Sequence, residues 1–310
     1  MDRLLDLQDK IRSTTAAIGK LESELPLHPE SVGLQRNILS LKKLHQNLRE
    51  DFQEAANALG VDVCHYRLLN EIPTAKALSK AIWGFQEAFA LAYDAMRHGP
   101  KSRRNLSSDA MQKTELRVAY SYPGSFGVVF TIPNQRMMFD VPTYLEEAAA
   151  VVFSVAQSKD DTQLVSRVAK QIGRGPIIGI YDWAKSNAQY DAGAAIDWVR
   201  DDKVKENVIV QAPEFKILSE SLERTGEEVT TEETLSGVLV GADTKVRRFN
   251  FLPAGAGQTI RGKFDTAISE SQQAKLPARY TAVLRKTTKI TYSTEIENIS
   301  YFLLRLEEMA

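Results

Sequence analysis

The chain has 310 residues, of which 43% are hydrophobic and 25% charged, with a net charge of −1; these are ordinary values for a soluble globular protein of two or three domains. That balance excludes whole-protein attraction to nucleic acid or to an anionic membrane and leaves only local patches. A single cysteine, Cys64, excludes an intramolecular disulfide and a cysteine-based metal cage, and it fits a reducing compartment.

The chain opens on an amphipathic repeat. Leu4, Leu7, Ile11, Thr14, Ile18, Leu21 and Leu25 follow alternating spacings of three and four. After a break at Pro26 to Ser31, the pattern resumes with Leu34, Ile38, Leu41, His45, Leu48, Phe52, Ala55 and Leu59. Two helices with heptad seams and a proline-bearing turn predict an antiparallel coiled-coil hairpin over residues 1–60, with Ser31 as N-cap and Gly60 as terminator of the second helix. The residues expected to form an oligomerisation seam are Leu4, Leu7, Ile11, Ile18, Leu21, Leu41, Leu48 and Phe52. His45 is the polar position that sets register or partner choice.

A third helix is expected from Pro73 to His98, stopped by Gly99 and Pro100, and residues 61–109 read as this helix followed by an exposed linker holding Lys101, Arg103 and Arg104. The window Ala81 to Met96 is the most apolar, but Gln86, Glu87 and Asp94 mark it as a buried helix rather than a membrane span. The N-terminus lacks the basic-then-apolar order of a signal peptide, so a cytoplasmic protein without membrane partners is expected.

Residues 110–222 read as a central α+β domain. Leu116 to Tyr122 and Phe126 to Ile132 predict a hairpin turning at Pro123-Gly124. Helices follow over Pro142 to Gln157, Asp160 to Ile172 and Pro176 to Arg200, then a strand from Val208 to Leu218, interrupted or bounded by Pro213. Glu220 to Glu233 is strongly acidic and reads as a solvated linker. Residues 234–310 predict three strands, a helix from Ile268 to Leu276 and two more strands, a small OB-like or SH3-like barrel. The fold class is therefore α+β: a helical hairpin, a mixed centre and a terminal β-barrel. That order of parts is similar to that of uncharacterised bacterial proteins and carries no activity across.

Familiar catalytic chemistry is largely excluded. The four histidines, His28, His45, His65 and His98, all lie in the first third of the chain, so neither a Ser-His-Asp triad nor a histidine metal site fits residues 99–310. Cys64 and His65 are adjacent and point apart, which is wrong for a nucleophile and its base. Glu214-Phe215-Lys216 on a predicted strand, with Asp201 and Asp202 upstream, has the spacing of a PD-(D/E)xK metal-dependent nuclease, although such triplets are common. The loops at Gly124–Gly127, Gly173–Gly175 and Gly255–Gly257 carry no phosphate-loop signature. No catalytic residue, metal ligand or cofactor is assigned.

The terminal unit is the binding candidate. From Thr234 onward, eleven Lys and Arg face seven Asp and Glu. Arg248, Arg261, Lys263 and Arg285 can share a barrel face with Tyr280 or Tyr292, a combination of backbone neutralisation and base stacking used by single-strand binders. The plainer alternative is that alternating strands simply place these cations in solvent. Two functions are expected. The first is a non-enzymatic oligomerising, scaffold or adaptor protein of the bacterial cytoplasm, acting as a homo-oligomer or with a protein partner through the hairpin. The second is nucleic-acid binding by the barrel. The nuclease is a third, and a place in a bacterial defence system is a guess with no residue behind it.

Overall fold

The computed structural model describes residues 2–70, 74–122, 126–134, 141–265, 268, 274–294 and 296–309. The chain divides into two compact units, 1–225 and 226–310. Unit 1 contains helices α1 (Asp2–Glu24), α2 (Val32–Ala58), α3 (Ala75–His98), α4 (Ser108–Lys113), α5 (Tyr144–Gln157), α6 (Thr162–Ile172), α7 (Arg174–Gln189) and α8 (Ala212–Arg224). Its strands β1 (Val61–Leu69), β2 (Arg117–Tyr122), β3 (Gly127–Pro133), β4 (Gly193–Arg200) and β5 (Lys203–Val210) form one sheet in the order β2-β3-β1-β4-β5.

Strand β1 is central, antiparallel to β3 on one side and to β4 on the other. Alternate side chains leave a strand on opposite faces, and here both faces are covered. Val61 and Val63 share a cluster with Leu4, Leu7, Ile11, Leu48, Phe52, Tyr120 and Val129, so the base of the α1–α2 hairpin lies on this face of the sheet. Phe52 meets Tyr120 edge-on at 5.4 Å, and the Arg12 guanidinium donates to the Ala119 carbonyl at 2.6 Å. Further out, Ile18 and Ile38 are buried, and Thr15 Oγ1 lies 3.1 Å from His45 Nε2. Leu21 and Leu41 are half-buried. The hairpin expected from the sequence is present, and burial of its seam is supplied within the chain.

On the other face, Cys64, Tyr66 and Leu68 are buried with an aromatic core from four helices, α3, α5, α7 and α8, and from β4. Trp183 meets Phe215 at 5.0 Å, Phe89 meets Trp198 at 5.1 Å, and Phe85 lies 5.6 Å from both Tyr66 and Trp183. Helices α3 and α7 approach closely because small residues face each other: a Cβ on Gly179 would sit 2.7 Å from Leu91 Cδ1 and 3.3 Å from Ala88 Cα.

Several boundaries differ from the sequence expectation. Strand β1 was not anticipated, since Asp62, His65 and Arg67 break its apolar run. The helix expected to reach Arg200 ends at Gln189, with Asp191 in a left-handed conformation (φ 47°), and Gly193–Arg200 is strand β4. The expected strand over 208–218 is β5 followed by α8, because Pro213 sits in the first turn of a helix, where its missing N–H is no loss, and Gln211 and Glu214 form a capping box. The stretch 99–109 is not a free linker: the Lys101 N–H donates to the Ile172 carbonyl at 3.0 Å, the Gly175 N–H donates to the Lys101 carbonyl at 2.8 Å, and Arg104 pairs with Glu87 and Asp182. Gly173, at φ 82°, and Gly175 leave room for that backbone. Pro73 and the Pro123-Gly124 turn lie outside the described residues.

Unit 2 contains β6 (Gly226–Asp243), β7 (Arg248–Pro253), β8 (Ile260–Phe264), β9 (Ala278–Thr291) and β10 (Glu297–Glu308). The pairings run β10-β8-β7-β6-β9 and return from β9 to β10; all are antiparallel except β8–β10. Leu239, Phe249, Phe251, Phe264, Tyr280, Leu284 and Leu303 fill its interior. Most of the helix expected over 268–276 lies outside the described residues. The acidic stretch 220–233 is not a linker: it is the end of α8 and the first half of β6. There Glu228 and Glu233 pair with Lys289 and Lys286 of β9 at 3.2 and 3.1 Å. Its partners stand some fifty residues later, which composition in a local window does not reveal.

Asp62, buried at the edge of the aromatic layer, accepts from Asn134 Nδ2 at 2.7 Å and Trp198 Nε1 at 2.8 Å. Arg200 Nε lies 3.7 Å away, while Arg200 Nη1 contacts Glu146 at 2.8 Å. Burial pushes the Asp62 carboxyl up to about 6, against the opposing pull of these donors. Since the folded value exceeds the ordinary one near 3.8, the folded chain holds this proton more tightly. The contribution is therefore most favourable below about pH 4 and is lost as pH rises through 4–6, by roughly 3 kcal/mol. Urea unfolding of Asp62→Asn is expected to reduce the loss of stability between pH 4 and 7 by about that amount; an unchanged pH dependence would contradict the assignment.

Candidate functional site

The alternation of β7 and β8 builds the site. Phe249, Phe251 and Phe264 point inward and are buried, so Arg248, Asn250, Arg261 and Lys263 point outward. The antiparallel register sets Arg248 directly opposite Lys263 and Asn250 opposite Arg261. Like charges facing each other across a strand pair destabilise it. No carboxylate relieves them: among the described residues, Arg248, Arg261 and Lys263 make no ion pair.

The same outward face continues over β10 and β9. Phe302 is registered beside Lys263 on β8 and beside Arg285 on β9, and Ser300 stands opposite Thr287. Buried Leu303 and Leu284 are registered with each other and face inward, which places Phe302 and Arg285 outward. Phe302 is half-buried. Together these residues line a groove of about 1030 Å³. Its single carboxylate among the described residues, Asp243, accepts the Lys245 and Val246 N–H groups at 2.9 and 3.0 Å and so orders the β6–β7 turn. Arg285 differs from the other cations, since Glu232 lies 3.9 Å from it.

Of the residues expected from the sequence, Arg248, Arg261, Lys263 and Arg285 come together in this groove. Tyr280 does not. It is 3% exposed inside unit 2, its hydroxyl accepting the Lys275 N–H at 2.8 Å. Tyr280 and Arg285 are five apart on one regular strand and so must leave it on opposite faces, a constraint already present in their numbering. Tyr292 is buried as well, with its hydroxyl donating to Glu227 at 3.5 Å. The outward-facing aromatic on the basic face is Phe302, which the sequence reading missed, while Tyr301 and Phe249 line the groove from the inward phase; the signal for Phe302 was the odd–even phase set by Leu303.

Charge in unit 2 is segregated rather than in surplus. Across 226–310, eleven Lys and Arg match eleven Asp and Glu, since the glutamates of β6 cancel the excess counted from Thr234.

The remaining candidates do not assemble into chemistry. Glu214 and Lys216 lie on helix α8, where residues two apart point roughly 200° from each other. Glu214 caps that helix and pairs with Lys159 at 3.1 Å. Asp201 and Asp202 form the β4–β5 turn at positive φ, and no His/Cys/Asp/Glu group able to hold a metal occurs among the described residues. Burial raises the Cys64 thiol, while burial and nearby Arg49 lower His65 to about 4; the two sit on opposite faces of β1. Asp94, wholly buried, lies 2.7 Å from His98 Nδ1 and accepts the Ser107 hydroxyl at 3.0 Å. Burial alone would raise it, but these bonds and Lys101 hold it below its ordinary value, the mark of a structural tie at the end of α3. No described helix is long and apolar enough to cross a membrane. No family model, curated protein or solved structure matches the chain.

The opposition of Arg248 and Lys263, with no ion pair to either among the described residues, lowers the stability of the strand pair. Lys263→Glu places a carboxylate across from Arg248, and thermal or urea melts of the full chain are expected to show it more stable by about 0.5–1 kcal/mol. A loss of stability would mean that the groove cations already have compensation.

Proposed function

We propose that the protein is a non-catalytic nucleic-acid-binding protein whose unit 2 is an OB-like barrel carrying the site on its β7–β8–β10–β9 face. The observation behind this reading is the trio Arg248, Arg261 and Lys263, without an ion pair among the described residues and facing outward in one groove, with two of them opposed across a strand pair. A polyanion would remove that repulsion and release its own counterions. The strand order supports OB-like rather than SH3-like closure, because the third and fifth strands, β8 and β10, pair in parallel. The face formed by the second and third strands is the one on which such barrels bind oligonucleotides.

Binding should therefore depend steeply on salt. For a single strand, the slope of log affinity against log salt is expected to fall by about 0.7 for each phosphate contact removed. Full-length Arg261→Glu/Lys263→Glu is expected to bind a labelled oligonucleotide more weakly, with that reduction in slope, by fluorescence anisotropy. Absence of salt-dependent binding in the unmodified protein at low salt would overturn the reading.

The hairpin supports a second role, as a scaffold or adaptor. Leu27 is 74%, Val32 58% and Leu39 66% exposed around and beyond the turn between the helices, apolar surface not needed for closing the seam. In light scattering, Leu27→Glu/Leu39→Glu is expected to reduce the molar mass of any oligomer formed by the intact chain. A monomer at micromolar concentration before substitution removes self-association through this surface.

A further inference from the structure

The cations explain why a polyanion would enter the groove, but not why the floor of the groove carries an aromatic ring. Phe302 occupies a position where two neighbouring strands present positive side chains, Lys263 on β8 and Arg285 on β9. Inward-facing Leu303, Phe264 and Leu284 are buried, and inward-facing Tyr301 is half-buried against the core, whereas outward-facing Phe302 keeps part of its surface open to the groove. Among the described residues it makes no ring contact with another aromatic side chain. A half-open apolar ring bracketed by cations is poorly used as core and well placed for a flat apolar ligand bearing negative charge.

The cations on its two sides are not equivalent. On the β7–β8 side, Arg248, Arg261 and Lys263 make no ion pair among the described residues, while on the β9 side Arg285 has Glu232 at 3.9 Å. The free positive potential therefore lies along one wall. Strands are about 4.8 Å apart, so the span from β7 to β9 is about 14 Å. A chain whose phosphates follow the β7–β8 wall would place its bases toward the ring.

We infer that Phe302 is a base-stacking platform that makes this groove a site for single-stranded nucleic acid, with the phosphates on the Arg248–Arg261–Lys263 wall. The inference rests on the proposed nucleic-acid function and names its substrate class. An unpaired strand exposes base faces to the ring, whereas in a duplex those faces are stacked on one another and the ring has no partner. Arg285, screened by Glu232, contributes less to affinity than Arg261 or Lys263.

The test compares full-length protein with three labelled probes: an oligothymidylate of about a dozen nucleotides, an abasic strand of the same length and a duplex of the same length. The unmodified protein is expected to bind oligothymidylate more tightly than either alternative, by roughly five- to a hundred-fold for one stacked base. Phe302→Ala should bind oligothymidylate and the abasic strand alike, while Phe302→Tyr should retain the preference. The Tyr variant keeps the test decisive if the Ala variant folds poorly. Equal affinity of the unmodified protein for oligothymidylate and abasic strand, or for single strand and duplex, would overturn the stacking role and leave the basic-groove reading standing. Failure to bind any of the three probes at low salt would overturn both.

Discussion

Strand β1 is covered on both faces, and that two-sided burial organises unit 1. One face receives the aromatic layer around Phe85, Trp183 and Trp198; the other receives the base of the hairpin through Leu7, Ile11, Leu48 and Phe52. A heptad stripe that lies on a sheet at its base and closes on its own partner helix further out has little left for another chain. The long N-terminal repeat is therefore first a structural element of unit 1. Its surplus apolar surface lies at Leu27, Val32 and Leu39.

Unit 2 handles charge in the opposite way on its two sides. Along β6 and β9, Glu228 stands across from Lys289 and Glu233 reaches diagonally to Lys286, ion pairs worth little individually but free of repulsion. Along β7 and β8, Arg248 stands across from Lys263, and neither makes an ion pair among the described residues. A sheet assembled only for stability would distribute carboxylates to both pairs. On the proposed function this asymmetry suits a polyanion, and the half-open ring of Phe302 suits one that carries flat apolar groups.

The legibility of these features in the sequence followed how local their causes are. The hairpin was readable because its spacing repeats over fifty residues, and the strand order of unit 2 because turn residues separate its short apolar runs. Helix α8 is hidden in the sequence because Pro213 within an apolar run reads as a strand disturbance, whereas it is a first-turn residue with Glu214 in the capping box. Strand β1 was missed because burial on both faces erased the expected alternation and Asp62 sits in it as a buried acceptor. The groove cations were found from alternation along single strands. Tyr280 does not share their face, because strand parity sends it inward and Arg285 outward. What no local reading could supply was register: the opposition of Arg248 to Lys263, and of the β6 glutamates to β9, depends on which residues meet across strands.

The equal numbers of acids and bases in unit 2 have a consequence for how an encounter would proceed. A body with no net charge casts only a short-range field, and at physiological ionic strength that field decays over a Debye length of about 8 Å. The groove would not gather strands from a distance in the way a uniformly basic protein does. Selectivity would be decided after contact, by how long a strand dwells in register with the groove.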